Sequence, residues 1–211
     1  MRILSLDISS STGWALLDTE LGPSSLEHGS IVLPERARDY AEHPWGYYEA
    51  ALDLARLLML RISSFRPNLD VVVVEETNGA RNRFTQKFLE YCHFAFLHAF
   101  MDEYEGESLK LVYLNTSEWR KVTDTRLSKE EKNQNAKLSR HKRKAKSNGA
   151  KLDKKALGIA GKITIKHVAI RRVKELYGID LLCKQDDDAD AILLVHAYIN
   201  GAKPCTGSED R

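Results

Sequence analysis

The sequence predicts an α/β protein with a five-stranded mixed sheet flanked by helices. Three observations support this fold class. Two short apolar runs joined by a tight turn, and a third run after them, indicate an antiparallel meander at the N-terminus. The later run Val71–Val74 has no polar alternation and is typical of a strand covered on both faces. Segments with apolar residues spaced by three and four alternate with the later strands and predict helices.

The N-terminal meander is predicted from the apolar runs and from the turn residues between them. Ile3 to Leu6 form a buried strand that ends at Asp7, and residues 9–13 (SSSTG) turn the chain before it becomes apolar again at residues 14–17. Glu27–Leu33 forms the third strand, which Pro34 stops.

The remaining elements follow the apolar spacing. We predict these, in order: a helix from about Pro44 to Phe65, a strand Asp70–Glu76, a helix from Phe84 to about Glu103, a strand Leu109–Leu114, a helix capped by Asn115, a helix Thr164–Tyr177 and an apolar helix Ala191–Ile199. The order β-β-β-α-β-α-β-α with a closing helix makes strands 1 and 4 neighbours in a mixed sheet, running parallel.

Composition is that of a single globular domain. The chain has 211 residues, of which 43% are hydrophobic and 29% charged. No apolar run reaches the roughly 18 residues that span a membrane, and the N-terminus lacks the layout of a signal peptide, so we expect a cytoplasmic protein without membrane attachment. Cys92, Cys183 and Cys205 form no CxxC or Cys/His cluster, which argues against a zinc site or a disulfide framework.

Charge is strongly segregated along the chain. Arg126 to Lys174 contains 17 Lys or Arg and three acids, a net charge of +14, which leaves −12 on the rest of a chain whose total is +2. A run this basic is suited to holding the phosphates of a nucleic acid, although it is also compatible with a solvated insertion. We predict one domain over residues 1–202, with a basic insertion at about 124–162 that is a mobile loop or small helical element, and a disordered tail at 203–211.

Acidic residues stand at the ends of three predicted elements. Asp7 follows strand 1, Glu75 or Glu76 ends strand 4, and Asp187 and Asp190 share one face at the start of the last helix. Simpler interpretations exist: Asp7 could accept turn N–H groups from Ser9 to Ser11, and acids at a helix start favour the macrodipole. Converging carboxylates repel unless a divalent cation lies between them, and two Mg²⁺ ions would support phosphodiester hydrolysis.

Three segments resemble the acidic blocks of the RuvC-type Holliday junction resolvases, which belong to the ribonuclease H-like nucleases. They are LSLDISSSTGWALL, VVVVEETNGARN and DDDADAILLVHAY, and together they cover most of the chain in order and spacing. The resemblance implies a ribonuclease H-like fold and a homodimer that nicks two opposed strands of a four-way DNA junction, leaving 5′-phosphate and 3′-hydroxyl ends. It also implies Mg²⁺, with Mn²⁺ as an alternative.

The resemblance assigns the catalytic, metal-binding tetrad to Asp7, Glu75, Asp187 and Asp190. Glu75 is preferred to Glu76 because it stands first after the apolar run; Asp186 and Asp188 remain substitutes. The family places an aromatic wedge soon after the strand acid, where this chain has residues 77–79 (TNG) and Phe84 as its nearest aromatic. The residues expected to bind DNA phosphates are Arg140, Lys142, Arg143, Lys144, Lys146, Lys162 and Lys166, with Arg171 and Arg172 as further candidates near the cleaved phosphate.

Three alternatives differ in class. Actin-like and sugar-kinase phosphotransferases also begin with a strand, an Asp and a Ser/Thr/Gly hairpin, but they need two such domains, for which 211 residues leave no room. A non-catalytic DNA-binding module would use the basic segment alone. A broader ribonuclease H-like nuclease would cut flaps or RNA–DNA hybrids with the same carboxylates, since specificity lies in the surrounding surface.

Overall fold

The structure is a computed structural model that describes residues 1–33, 44–77, 83–147 and 161–205. Within these ranges the strands are β1 (Arg2–Asp7), β2 (Ser11–Asp18), β3 (Glu27–Val32), β4 (Val71–Glu75) and β5 (Lys110–Leu114). The helices are α1 (Trp45–Phe65), α2 (Arg83–Tyr104), α3 (Thr116–Val122), α4 (Lys129–Ser147), α5 (Ile165–Tyr177) and α6 (Asp186–Ile199). None of the described helices is long and apolar enough to cross a bilayer.

The five strands form one mixed sheet in the order β3-β2-β1-β4-β5. β1 to β3 are an antiparallel meander, whereas β4 runs parallel to both β1 and β5. The predicted α/β class and the predicted parallel pairing of strands 1 and 4 are therefore confirmed. Leu6 lies opposite Val74 in the β1–β4 register, so the next residues, Asp7 and Glu75, emerge at the same edge.

Helices cover both faces of the sheet. Leu4, Leu6 and Val72 point to one face and pack in a cluster with apolar residues of α1 and α2. Ile3 and Val73 point to the other face, where the cluster includes residues of α3, α5 and α6. This alternation follows from the period of two in a strand, and it explains why β1 and β4 carry apolar residues on both faces.

α6 is fixed to the centre of the sheet. Its residues from Ala191 to Val195 are fully or almost fully buried. The buried hydroxyl of Ser5 on β1 donates a hydrogen bond of 2.7 Å to the carbonyl of Ala191. Since β1 and α6 both carry predicted catalytic acids, this contact holds their relative positions.

The basic insertion and the tail differ in part from the expected loops. Much of the insertion is a 19-residue helix, α4, and residues 148–160 lie outside the described ranges. In the predicted tail, Pro204 forms an isolated antiparallel bridge with Leu114, and the N–H of Cys205 donates to the carbonyl of Tyr113. The chain from 203 to 205 is thus attached to β5, and residues 206–211 lie outside the description.

Candidate active site

Asp7 and Glu75 meet at the carboxyl ends of two parallel strands. The two carboxyl groups are close enough for Glu75 to act on the ionisation of Asp7. The pKa of Asp7 is raised well above its ordinary value of 3.8, first by burial and then by the charges of Glu75, Asp190 and Asp187. Acids from β1, β4 and α6 therefore act electrostatically on one point.

The turn after Asp7 satisfies its own backbone groups. The N–H of Ser9 donates to the Thr12 hydroxyl at 3.1 Å, and the N–H of Ser11 donates to the Ser9 hydroxyl at 3.1 Å. The Thr12 hydroxyl in turn donates to the carbonyl of Ser9 at 2.8 Å. The interpretation of Asp7 as acceptor of these turn N–H groups is wrong for Ser9 and Ser11, because hydroxyl groups take that role.

Glu75 and Glu76 have different partners, as expected for consecutive residues of a strand. The Thr116 hydroxyl donates a hydrogen bond to Glu75. Glu76 accepts from the Asn115 amide at 2.9 Å and from the Cys205 thiol at 3.3 Å. Glu75 is the member of the pair that acts on the ionisation of Asp7.

Asp190 lies deep in the site, and not all of its hydrogen-bond acceptors have partners among the described residues. Its Oδ1 atom is buried and has no hydrogen-bond partner among the described residues. Its Oδ2 atom lies 3.7 Å from a guanidinium nitrogen of Arg120. Burial raises the pKa of Asp190 to about 7, and the nearby Arg120 charge opposes this rise.

The two spare acids of α6 have partners away from Asp7. Asp186 forms an ion pair with Lys166 on α5. Asp188 is buried, and its carboxylate lies 3.1 Å from Nδ1 of His28 on β3. Asp187 and Asp190 are therefore the α6 acids whose charges act on Asp7.

Gly13 allows the first turn of α6 to approach the sheet. It is paired with Asp7 in the β1–β2 ladder. A Cβ atom at this position would lie 2.0 Å from the carbonyl oxygen of Asp187, far inside contact distance. Only glycine fits here without moving α6, and the sequence interpretation took Gly13 merely as a turn residue.

Two cations, Lys166 and Arg120, lie beside the acids. Nζ of Lys166 is 4.0 Å from Oδ1 of Asp187, whereas Arg171 and Arg172 pair with Glu131 and Glu175 respectively. Sequence reasoning missed Arg120. A signal existed: the Asn115 cap places α3 directly after β5, so Thr116 and Arg120, four residues apart, share the helix face at that edge.

The other predicted DNA-binding residues lie apart from the acids in sequence. Arg140, Lys142, Arg143 and Lys144 are exposed on the second half of α4, and Lys162 is exposed just before α5. The side chain of Lys146 lies outside the description. We call the four exposed residues Arg140, Lys142, Arg143 and Lys144 the α4 basic face.

The acids are not arranged around a cation as they stand. Within the described ranges, no three His, Cys, Asp or Glu side chains are placed to hold a metal ion. The chemistry of these carboxylates nevertheless suits a divalent cation. All donors are carboxylate oxygens, and Asp190 has a buried oxygen without a partner among the described residues. The charges of Glu75, Asp190 and Asp187 raise the pKa of Asp7, and a divalent cation would relieve this repulsion.

Comparison with known proteins agrees with this architecture. No family model matches the chain, and no curated protein matches it significantly in sequence. Thermus thermophilus RuvC in complex with a Holliday junction substrate is similar at a TM-score of 0.57 and 12% identity, over 97% of this chain and 100% of that one. The chain has the fold of the RuvC-type resolvases. The predicted ribonuclease H-like fold is thus confirmed.

Two further solved structures share the fold. A second Thermus thermophilus RuvC structure matches at a TM-score of 0.53 and 14% identity, covering 97% of this chain and 100% of that chain. The yeast mitochondrial Holliday junction resolvase Ydc2 matches at 0.51 and 15% identity, covering 94% of this chain and 78% of that chain. At these identities the likeness concerns the backbone fold.

Proposed function

We propose that this protein is a divalent-metal-dependent endonuclease that resolves four-way DNA junctions by symmetric phosphodiester hydrolysis, giving 5′-phosphate and 3′-hydroxyl ends. One observation carries the proposal: Asp7 and Glu75 emerge at one sheet edge, where the charges of Glu75, Asp187 and Asp190 all act on Asp7. The similar RuvC structure in complex with a Holliday junction supports the choice of substrate.

The four acids are proposed to hold two Mg²⁺ ions, with Mn²⁺ as an alternative. When bound, such ions stabilise charge on the cleaved phosphate and lower the pKa of the attacking water. The protein supplies the oxygen ligands on rigid elements: Asp7 and Glu75 at strand ends, Asp187 and Asp190 on a helix anchored by Ser5. Four acids packed together at partial burial are costly without cations, which favours metal binding over a structural role.

Lys166 and Arg120 complement the acids. Lys166 pairs with Asp186 and Asp187, and Arg120 lies beside Asp190. Each cation lowers the pKa of Asp190 and so helps to keep this carboxyl group ionised. We propose that Lys166, which is 63% exposed, also contacts the phosphate next to the cleaved bond.

The α4 basic face is proposed to hold a DNA arm through its phosphates. Its four charges lie within five residues of one helix, and all four side chains are exposed. Backbone phosphates are the sequence-independent partner of such basic side chains. Lys146 and Lys162 belong to the same proposal. Binding should therefore depend strongly on salt and weakly on DNA sequence.

Dimerisation is proposed to occur through α2. An apolar stripe on this helix stays exposed: Phe84 is 57% exposed, Phe94 69% and Met101 50%. Tyr91, Phe94, His98 and Met101 follow the spacing of three and four that pairs helices. A second copy of the chain would cover this stripe and place two active sites on one junction.

The domain boundaries at 1–202 and the cytoplasmic location remain predictions. The attachment of residues 203–205 to β5 favours extending the folded domain to residue 205. Neither point affects the proposed chemistry.

A substrate comparison tests the proposed function. The wild-type protein and Asp7→Asn are incubated with Mg²⁺ and a mobile four-way junction, a linear duplex, a flap or an RNA–DNA hybrid. We expect cleavage of the junction alone, lost in the variant. Equal cleavage of flaps or hybrids would move the protein to a broader nuclease role, and junction binding without cleavage by the wild type would favour a non-catalytic module.

A further inference from the structure

The basic insertion is attached to the body of the protein at its first half. Glu131 of α4 forms an ion pair of 2.8 Å with Arg171 of α5, and its other oxygen accepts from the N–H of Ser128 at 2.8 Å. Glu131 is 11% exposed at its side chain, whereas its partner Arg171 is 53% exposed. The contact therefore orients the start of α4 along α5.

A second contact is more specific. The side-chain amide of Asn135 donates to the carbonyl of Ile163 at 2.7 Å, and its oxygen accepts from the N–H of Ile163 at 2.9 Å. One side chain thus satisfies both backbone groups of a residue 28 positions away. A two-point hydrogen bond fixes the distance and the rotation of the segment that it holds.

The segment that Asn135 holds leads directly to the active site. Ile163 precedes Thr164, the N-cap of α5, whose backbone and hydroxyl interact with His167. Lys166 lies in the same first turn and pairs with Asp186 and Asp187 of α6. The position of the Lys166 backbone therefore depends on where the chain enters α5.

We propose that Asn135 is a positioning residue that couples the α4 basic face to Lys166. Asn135 fixes the entry to α5, and Lys166 in that first turn then reaches the acids of α6. A DNA arm bound along α4 is thereby held in a constant position relative to the Lys166 ammonium group. This inference rests on the proposed function for its catalytic part, whereas the clamp on Ile163 is independent of it.

Hydrogen exchange tests the clamp without any assay of activity. Asn135→Ala is compared with Asn133→Ala, an exposed asparagine on the same helix, in the absence of metal and DNA. We expect amide exchange in the first turn of α5 to rise at least ~5-fold in Asn135→Ala and to stay unchanged in Asn133→Ala, while α6 is unaffected. Equal exchange in the two variants would overturn the proposal.

Single-turnover cleavage of a four-way junction tests the coupling. We expect Asn135→Ala to lower the rate about tenfold with junction affinity within about twofold of wild type, and to add nothing to the loss caused by Lys166→Ala. Additive losses would overturn the coupling. If Asn135→Ala does not fold, Asn135→Asp, which keeps the acceptor and loses the donor, should show a smaller loss of the same kind; a wild-type rate in that variant would contradict the proposal.

The exchange and cleavage experiments distinguish failure of the proposed function from failure of the inference about Asn135. A wild-type protein that does not cut junctions would refute the proposed function, and the exchange result would still decide the clamp. A wild-type protein that cuts junctions, with Asn135→Ala indistinguishable from Asn133→Ala in both assays, would refute the inference alone.

Discussion

Asp7 and Glu75 emerge side by side from two neighbouring parallel strands, where burial and the charge of Glu75 raise the pKa of Asp7. The pairing follows from the register, since Leu6 opposite Val74 brings the next two residues to the same edge. Without metal, the raised pKa values of Asp7 and Asp190 favour protonation at the place where, on our account, the active site holds divalent cations.

The first prediction concerns stability and pH without metal. Asp190 has a pKa raised from 3.8 to about 7, so the folded chain binds its proton more tightly than the unfolded chain. This contribution is fully present below 3.8 and is lost as pH rises through about 7; the difference is worth up to ~4 kcal/mol. Denaturant unfolding from pH 4 to pH 8 measures it.

Variants and metal complete this test. Asp190→Asn should reduce the pH dependence and leave the part due to Asp7. Asp53→Asn, which changes an acid 55% exposed on α1, should leave the pH dependence unchanged. Added Mg²⁺ should raise the melting temperature more at pH 8 than at pH 5, because protons compete for the same oxygens. A melting temperature that does not respond to Mg²⁺ at pH 8 would contradict metal binding by these acids.

The second prediction concerns Gly13. Gly13→Ala places a Cβ 2.0 Å from the carbonyl oxygen of Asp187 and must displace the first turn of α6. We expect a loss of about 1 to 3 kcal/mol in unfolding free energy and about 100-fold in cleavage rate. Gly161→Ala is the control, because its Cβ would meet nothing within 4 Å. Equal behaviour of the two variants would show that the approach of α6 is not restrictive.

The fold was largely predictable, for reasons that specific residues illustrate. Val71–Val74 and Ile3–Leu6 are apolar on both faces, which places both strands centrally, and the meander fixes the order of the first three. The convergence of Asp7 with Glu75 follows from strand adjacency alone. Asp187 and Asp190 were predicted as a pair because acids three apart on a helix share a face.

Other parts were not predictable, because they depend on tertiary placement. The role of Gly13 depends on the packing of α6 against β2. The position of Arg120 beside Asp190 depends on the direction of α3 after β5. The extent of α4 was underestimated because few apolar residues mark it: Leu138 is buried within an otherwise polar helix. Lysine, arginine and alanine nevertheless favour helices.

The third prediction concerns the α4 basic face. Replacing Arg140 and Lys144, which share one side of α4, with Gln should weaken junction binding and reduce the slope of log K against log salt by about 1.8, since each phosphate contact contributes about 0.9. Lys110→Gln with Lys174→Gln, at the start of β5 and in the last turn of α5, is the matched control and should leave the slope unchanged. An identical slope in both double variants would mean that the DNA binds at another surface of the protein.

The fourth prediction concerns the α2 stripe. Phe94→Glu puts a charge into the proposed helix pairing and should raise the dimer dissociation constant at least ~10-fold, measured by sedimentation. Leu21→Glu changes a residue of the same 69% exposure beyond the end of β2 and should leave assembly unchanged. A wild-type protein that sediments as a monomer at all concentrations would contradict dimerisation through this stripe.

Cleavage mapping on a four-way junction with Mg²⁺ tests the central claim most directly, using wild type, Asp7→Asn, Glu75→Gln and Glu76→Gln. We predict paired symmetric nicks for wild type, losses of at least ~1000-fold for the first two variants, and retained cleavage for Glu76→Gln, whose side chain bonds to Asn115 and Cys205 instead. If Asp7→Asn bound the junction as tightly as wild type and still cleaved it, the carboxylate site would not be the catalytic centre.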